Sequence, residues 1–332
     1  MKIVFFNYKA VEEKAVNSWK ENNKDIELVI TEKELSEDTM DMLKDCDAVC
    51  ISQIKPISEQ VYDFAKENGV KVFSTRSAGI DMYDTKKLNS LGIKLTNVPS
   101  YSPNAIAEHA VTAALIISRK IAKIEKNVKE HNFSWEKRLL SREMRTMTVG
   151  ILGTGRIGTA AAKLFKGLGA NVIGYDLYPN DNAKEYLTYV DSVETLAKQS
   201  DIISLHMPAT EENYHMVNDK FFELMPENSI IINSGRGSLI DTKALFRALD
   251  SKKLLGAGLD VYEFESPYVP KDMRDKEIED ADFLQLIERE DILYTPHTAY
   301  FTETAVENLV QGALNSSKNF IENGNDDFVV KF

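Results

Sequence analysis

Short apolar runs, each followed by a longer amphipathic stretch, recur along the first hundred or so residues. Ile3 to Phe6, Ile26 to Ile30, Ala48 to Ile51, Lys71 to Ser74 and Ile93 to Thr96 read as brief strands. Between them, Val11 to Glu21, Ser36 to Lys44 and Ser58 to Glu67 carry apolar residues at helical spacing. Such alternation predicts a parallel sheet with helices on both faces. Breakers gather at Asn97-Val98-Pro99-Ser100-Tyr101-Ser102-Pro103, where Ser102 and Pro103 stand in the order of an N-cap and a first helical residue. The helix they open is expected from Asn104 to Lys120, continuing towards His131.

From Met147 the alternation resumes. Strands are expected at Asn171 to Tyr175, Tyr189-Val190, Ile202 to His206, Ser229 to Asn233, Gly256 to Leu259 and Ile292 to Thr295, with helices such as Thr159 to Leu168, Val193 to Lys198 and Thr242 to Leu249 between them. A last helix, Thr302 to Asn323, is closed by Gly324 and is expected to lead the chain back to the first domain. The pattern therefore predicts an α/β chain of two doubly wound parallel-sheet domains. Residues 1–100 with 300–332 form one, and residues 101–299 are inserted as the other.

The second series opens with the strand Thr148-Val149-Gly150-Ile151-Leu152, which runs directly into Gly153-Thr154-Gly155-Arg156-Ile157-Gly158. In a strand-turn-helix setting Gly153 makes the tight turn, Gly155 lets a pyrophosphate approach the backbone and Gly158 permits close helix packing. Asp176 ends the next strand, eighteen residues past Gly158, where an acid binds the adenosine ribose and repels a 2'-phosphate. No Arg or Lys stands among Leu177, Tyr178 and Pro179, so the cofactor expected is NAD rather than NADP. The first domain has no such loop. Arg76-Ser77-Ala78-Gly79 follows its fourth strand and is either a carboxylate-binding turn or an ordinary strand-to-helix connection.

Composition narrows the function classes. A formal charge of −12 argues against nucleic-acid and anionic-membrane partners, and a solvated acidic surface accounts for it. Cys46 and Cys50 have no nearby histidine, so no metal site is expected and the pair fits a reducing compartment. Ile3 to Phe6 is too short for a signal-peptide core and Ala110 to Ile117 too short to span a bilayer; the location expected is the cytoplasm.

Three strand ends of the second domain carry Arg236, Glu265 and His297. Together beside a nicotinamide they would suit 2-hydroxy-acid oxidation: a guanidinium to grip a carboxylate through two hydrogen bonds, an imidazole to exchange the hydroxyl proton and a carboxylate to orient the imidazole. Each also has a plainer reading, as a surface ion pair, an acid in an acidic stretch or a bystander histidine. His206 is a rival base, although Met207-Pro208 beside it is better read as lying against the cofactor. His109 on the long helix reads as structural.

Taken together, these motifs resemble the D-isomer-specific 2-hydroxyacid dehydrogenases, in the branch that includes the D-lactate and D-2-hydroxyisocaproate enzymes. The likeness runs over Asn97-Val98-Pro99, Tyr101 to His109, Thr148 to Gly158, Ser204-Leu205-His206, Gly235-Arg236-Gly237, Leu259 to Glu263 and Thr295 to Ala299. It implies a flavodoxin-like catalytic domain with an inserted Rossmann NAD-binding domain. It also implies catalysis by Arg236, Glu265 and His297, and substrate contacts from Ala78, Gly79 and Tyr101. NAD would be held by Arg156, Ile157, Asp176, Met207, Pro208, Asn213, Ser234, Gly235 and Asp260 beside the three loop glycines. The substrate would be a 2-oxo or 2-hydroxy acid, with pyruvate first, and the assembly a homodimer through the cofactor domain. Ser52 departs from the aromatic residue of many lactate-converting relatives and would leave room for a bulkier acid, with Trp135, Tyr300 and Phe301 as candidates to close its apolar side. An NAD-sensing binding protein is the alternative from another class, and the intact trio argues against it.

Overall fold

The computed structural model describes residues 1–53, 55–80 and 82–331. The chain divides into two compact units, Met1–Ser102 with Phe301–Phe332, and Pro103–Tyr300. In the first, strands β1 (Lys2–Phe5), β2 (Glu27–Ile30), β3 (Ala48–Ile51), β4 (Val72–Thr75) and β5 (Lys94–Thr96) form a parallel sheet in the order β2-β1-β3-β4-β5. This is the flavodoxin-like order, which reverses beside β1. Every residue of β3 and β4 is buried because helices cover both faces. The final helix, Glu303–Asn323, belongs to this unit: Thr302 caps its start, Gly324 ends it with φ 71°, and Asn315 accepts the Trp19 indole N–H at 2.8 Å.

The helix expected over Ser36 to Lys44 does not form; the segment holds one short 3-10 turn, Met40–Leu43. The Thr39 hydroxyl accepts from Ser36 N–H at 2.9 Å and donates to Glu34 carbonyl at 2.7 Å, local bonds that compete with helix formation. The long helix is likewise interrupted. It runs Pro103–Ser118, breaks at Lys120 (φ 56°) and restarts as Ile121–Lys129. Lys120 turns its ammonium onto the carbonyls of Arg138 and Leu140, at 2.8 and 2.7 Å, anchoring the extended segment that follows.

The second unit contains β6 (Thr148–Leu152), β7 (Asn171–Tyr175), β8 (Thr188–Tyr189), β9 (Ile202–Leu205), β10 (Ser229–Asn233), β11 (Leu254–Leu259) and β12 (Ile292–Tyr294). All pair in parallel in the order β12-β11-β10-β9-β6-β7-β8. The order reverses between β6 and β9, the point where such sheets open a ligand crevice at their carboxyl ends. Strands β9 and β10 are wholly buried, whereas β12 is half-exposed at the edge.

In the first unit Arg76, at the end of β4, is only 3% exposed. Its guanidinium meets Glu12 at 2.8 Å, donates to the carbonyls of Phe6 and Asn7 at 3.0 Å each, and lies 3.8 Å over the Phe5 ring. Such a pair is costly to break because the survivor is a buried, uncompensated charge. Arg76→Met is therefore expected to destabilise this unit by about 3–5 kcal/mol, measured as the urea midpoint of Trp19 fluorescence; a loss under about 1 kcal/mol would show the pair unimportant.

Candidate active site

The glycine turn is shaped by backbone crossing backbone. Gly153 has φ 93°, and a Cβ there would come within 2.7 Å of the His206 peptide at the end of β9. A Cβ on Gly158 would sit 1.9 Å from the Gly153 carbonyl, so neither position tolerates a side chain. At Gly155 an added Cβ would meet nothing within 4 Å. The open side of the turn thus lies where the helix Arg156–Gly167 begins, the end of a helix that favours anions. Asp176 is fixed beside the turn: one carboxylate oxygen accepts from the Thr154 N–H at 2.6 Å and its hydroxyl at 3.2 Å, the other from the Tyr178 N–H at 2.9 Å. Leu177 and Tyr178 next to it are exposed. A narrow turn, an open Gly155 and a held acid fit a dinucleotide with a free ribose 2'-hydroxyl.

Beyond the turn, Asn213 ties its own loop, accepting from Thr210 N–H at 2.7 Å and donating to the Pro208 carbonyl at 2.8 Å. Ser234, Gly235 and Arg236 follow β10 in a turn held by buried Asn233, which accepts from Gly235 N–H at 3.0 Å and donates to the Arg236 carbonyl at 2.9 Å. Glu265 follows β11. One of its oxygens accepts from Tyr262 N–H at 2.9 Å and the other from His297 Nδ1–H at 2.6 Å. The carboxylate therefore fixes the imidazole's tautomer and leaves Nε2 as the nitrogen for proton exchange. Since β10, β11 and β12 are neighbours, the loops carrying Arg236, Glu265 and His297 leave the same edge of the sheet.

His297 adopts φ 56°, a left-handed conformation unusual for a residue with a side chain. Its N–H donates to the Asp260 carbonyl at 2.7 Å. The Asp260 carboxylate, 2% exposed, accepts from the Thr295 hydroxyl (2.6 Å), Thr298 N–H (2.8 Å) and Ala299 N–H (2.9 Å). Because the Thr295 hydroxyl spends its one proton on Asp260, it accepts from His109 Nε2–H at 3.1 Å. His109 is thus structural, but it supports the loop that bears His297. Asn233, Thr295 and Thr298 were not singled out from the sequence. The partners of Thr295 and Thr298 lie far away in the chain, at Asp260 and His109, and the one local signal is that Asn233 and Thr295 stand at or beside strand ends.

His206 is not in the position of a base. Its Nε2 pairs with the Ser204 hydroxyl at 2.9 Å, its Nδ1 is buried without a partner among the described residues, and burial pushes the imidazole down to about 4. In the first unit, Ala78 and Gly79 follow β4. Asn97 donates to the Ala78 carbonyl at 2.7 Å and the Ser77 hydroxyl to the Gly79 carbonyl at 2.6 Å, while the Tyr101 carbonyl accepts from the Asn308 amide. Ser52 is half-buried after β3. Trp135 is fully exposed and Phe301 49% exposed within the chain, so neither is held in an apolar enclosure by its own unit. No group of acids, cysteines and histidines suited to a metal occurs among the described residues.

Comparison with known proteins follows this geometry. Residues 111–299 match the NAD binding domain of the D-isomer specific 2-hydroxyacid dehydrogenases. The chain belongs to that family. The dehydrogenase is 46% identical to a D-lactate dehydrogenase of Treponema pallidum over 95% of each chain. The crystal structure of a D-lactate dehydrogenase from that organism superposes with a TM-score of 0.94 at 44% identity, covering 100% of both chains. A Lactobacillus jensenii D-lactate dehydrogenase solved with NAD+ gives 0.91 at 36% identity over 100% of both chains. A D-2-hydroxyisocaproate dehydrogenase gives 0.93 at 35% over 99% of each. The two sheets and the NAD-binding unit of the dehydrogenase are those expected from its sequence.

The half-buried His206, with its Nδ1 out of reach of solvent, links acid pH to stability. With its ionisation lowered from 6.5 to about 4, the folded enzyme binds fewer protons than the unfolded chain between those values. The stability this group contributes is complete above pH 6.5 and lost as pH falls towards 4. His206→Asn should flatten the fall in Tm across that interval; an unchanged slope would separate His206 from the acid limb.

Proposed function

We propose that this dehydrogenase is an NAD-dependent D-lactate dehydrogenase that interconverts pyruvate and D-lactate. When bound, NADH would supply the hydride that reduces C2 of the 2-oxo acid. Arg236 grips the carboxylate with paired charged hydrogen bonds and so aligns C2. His297 gives the Nε2 proton to the carbonyl oxygen as it becomes a hydroxyl, and takes it back in the oxidation. Glu265 holds the ring for that exchange. Ala78 and Gly79 offer peptide N–H groups to the carboxylate and Tyr101 lines the substrate's surroundings. Arg156, Ile157, Asp176, Met207, Pro208, Asn213, Ser234, Gly235 and Asp260 hold the cofactor with the three glycines of the turn. What carries this reading is the 2.6 Å contact of Glu265 with His297, on a strand end next to that of Glu265 and two from that of Arg236.

A bulkier acid is the second reading. It is favoured by Ser52, a small side chain after β3, and by the likeness to a D-2-hydroxyisocaproate dehydrogenase. As for setting, a cytoplasmic location fits two buried free thiols, both pushed up to about 11 by burial and so unreactive. No helix among the described residues is long and apolar enough to cross a membrane. A homodimer through the cofactor unit is supported by an apolar surface on the segment after the Lys120 break. There Ile121, Val128, Phe133, Trp135 and Leu140 are between 46% and 102% exposed, apolar side chains gathered on one segment that a second copy would cover.

Replacing His297 with Ala should leave NADH binding intact while pyruvate turnover falls about 100-fold to 10,000-fold; undiminished turnover would remove His297 from its role. In a substrate panel, kcat/KM for pyruvate should exceed that for 2-oxoisocaproate and phenylpyruvate, and a tenfold preference for either of these would replace the lactate assignment. In sedimentation experiments, Phe133→Ser with Trp135→Ser should convert a dimer to monomer; a dimer of unchanged affinity would place the interface elsewhere.

A further inference from the structure

A second histidine-glutamate pair lies on the same loop as the first. Glu263, two residues before Glu265, meets His215 Nε2 at 2.6 Å and has a side chain only 6% exposed. Its other oxygen accepts from the Thr242 hydroxyl at 2.7 Å, so the carboxylate is gripped from two directions. His215 sits where the loop after β9 turns back towards β10's turn. It has φ 49°, its N–H donates to the Ser238 carbonyl at 2.9 Å, and its ring stacks on Tyr214 with centroids 3.9 Å apart.

Three loops meet at this pair. Asn213, expected at the cofactor, is two residues before His215. The Arg236 loop presses against the peptide of Tyr262 and Glu263 so closely that a Cβ on Gly237 would fall 2.2 Å from the Tyr262 carbonyl carbon and 2.3 Å from Glu263 N. Glu265 takes one of its bonds from Tyr262 N–H. Upstream the loop is anchored by Tyr262, which donates to Asp280 at 2.8 Å and stacks on Phe283. Between Tyr262 and Glu265, Phe264 is 55% exposed, with its ring edge-on to Tyr262. Glu263 is therefore, with Tyr262, a buried side chain that secures the stretch on which Glu265 is mounted, and the peptide joining the two is the surface against which the Arg236 loop rests.

We propose that Glu263, clamped by His215 and Thr242, is a positioning residue for the reaction, setting Glu265 and Arg236 relative to one another without touching substrate. The inference rests on the roles proposed for Arg236, Glu265 and His297. A pair that only stabilised the fold would affect NADH binding and turnover together. A pair that positions the trio affects the chemical step, where misplacement by about 1 Å costs up to about 100-fold.

The experiment compares Glu263→Gln, His215→Gln and the double variant. Glu263→Gln is isosteric, and His215→Gln changes a partly exposed side chain, so the second remains informative should the first fold poorly. Each single variant is expected to lower kcat about tenfold while KM for pyruvate and the NADH dissociation constant stay within about twofold. The double variant should be no slower than the slower single, since both break one interaction. Wild-type kcat in both singles, multiplying effects in the double, or a loss of NADH affinity matching the loss of turnover would each overturn the proposal. Failure of the trio itself reads out separately, as undiminished turnover by the His297→Ala enzyme.

Discussion

The arrangement depends on one buried carboxylate. Asp260 leaves the end of β11 and binds a hydroxyl and two peptide N–H groups of the segment that follows β12, from Thr295 to Ala299. Its own peptide N–H donates to the Asn233 carbonyl at 2.9 Å, on the strand whose turn presents Arg236. A single residue, through its carboxylate and its peptide N–H, thus registers the three strand ends from which Arg236, Glu265 and His297 follow. Burying a charge is tolerable only when its lone pairs are filled, and here the loop bearing His297 fills them. The left-handed backbone of His297 is sustained by the same contacts, since a strained conformation persists only where its surroundings overdetermine it.

The fold was legible because its signals are local. Strand-length apolar runs alternating with helices yield two parallel sheets, and the glycine spacing with an acid at the end of the next strand marks a strand-turn-helix; both elements are where the pattern put them. The strand ends also pointed to Arg236, Glu265 and His297, because open parallel sheets bind ligands at that edge. What the pattern misread was decided by side chains whose bonds compete with a continuous helix. The hydroxyl of Thr39 dissolves a helix whose apolar spacing was adequate, and Lys120 bends the long helix to serve carbonyls eighteen and twenty residues further on.

The pairings that hold the candidate site together were illegible for a different reason. Asp260 with Thr295 and the 298–299 peptides, Thr295 with His109, and Glu263 with His215 join residues between 35 and 186 positions apart. No spacing rule reports such a partner. The family likeness supplied Asp260 as a cofactor contact, whereas the carboxylate is largely engaged in holding the His297 loop. One oxygen accepts from Ala299 N–H, and a carboxylate oxygen has room for a further donor.

Two imidazoles at strand ends show how environment assigns roles. His206 and His297 each follow a strand of the same sheet, one after β9 and one after β12. Among the described residues His206 has a hydroxyl for a partner and no carboxylate, so burial keeps it neutral and unsuited to proton exchange near neutrality. His297 has a carboxylate on Nδ1 and a side chain 42% exposed, so its second nitrogen faces outward with its tautomer set. The difference lies in a partner 32 residues away rather than in the histidines themselves. Residue type and strand-end position therefore nominate both, and only the carboxylate that each lacks or finds selects between them.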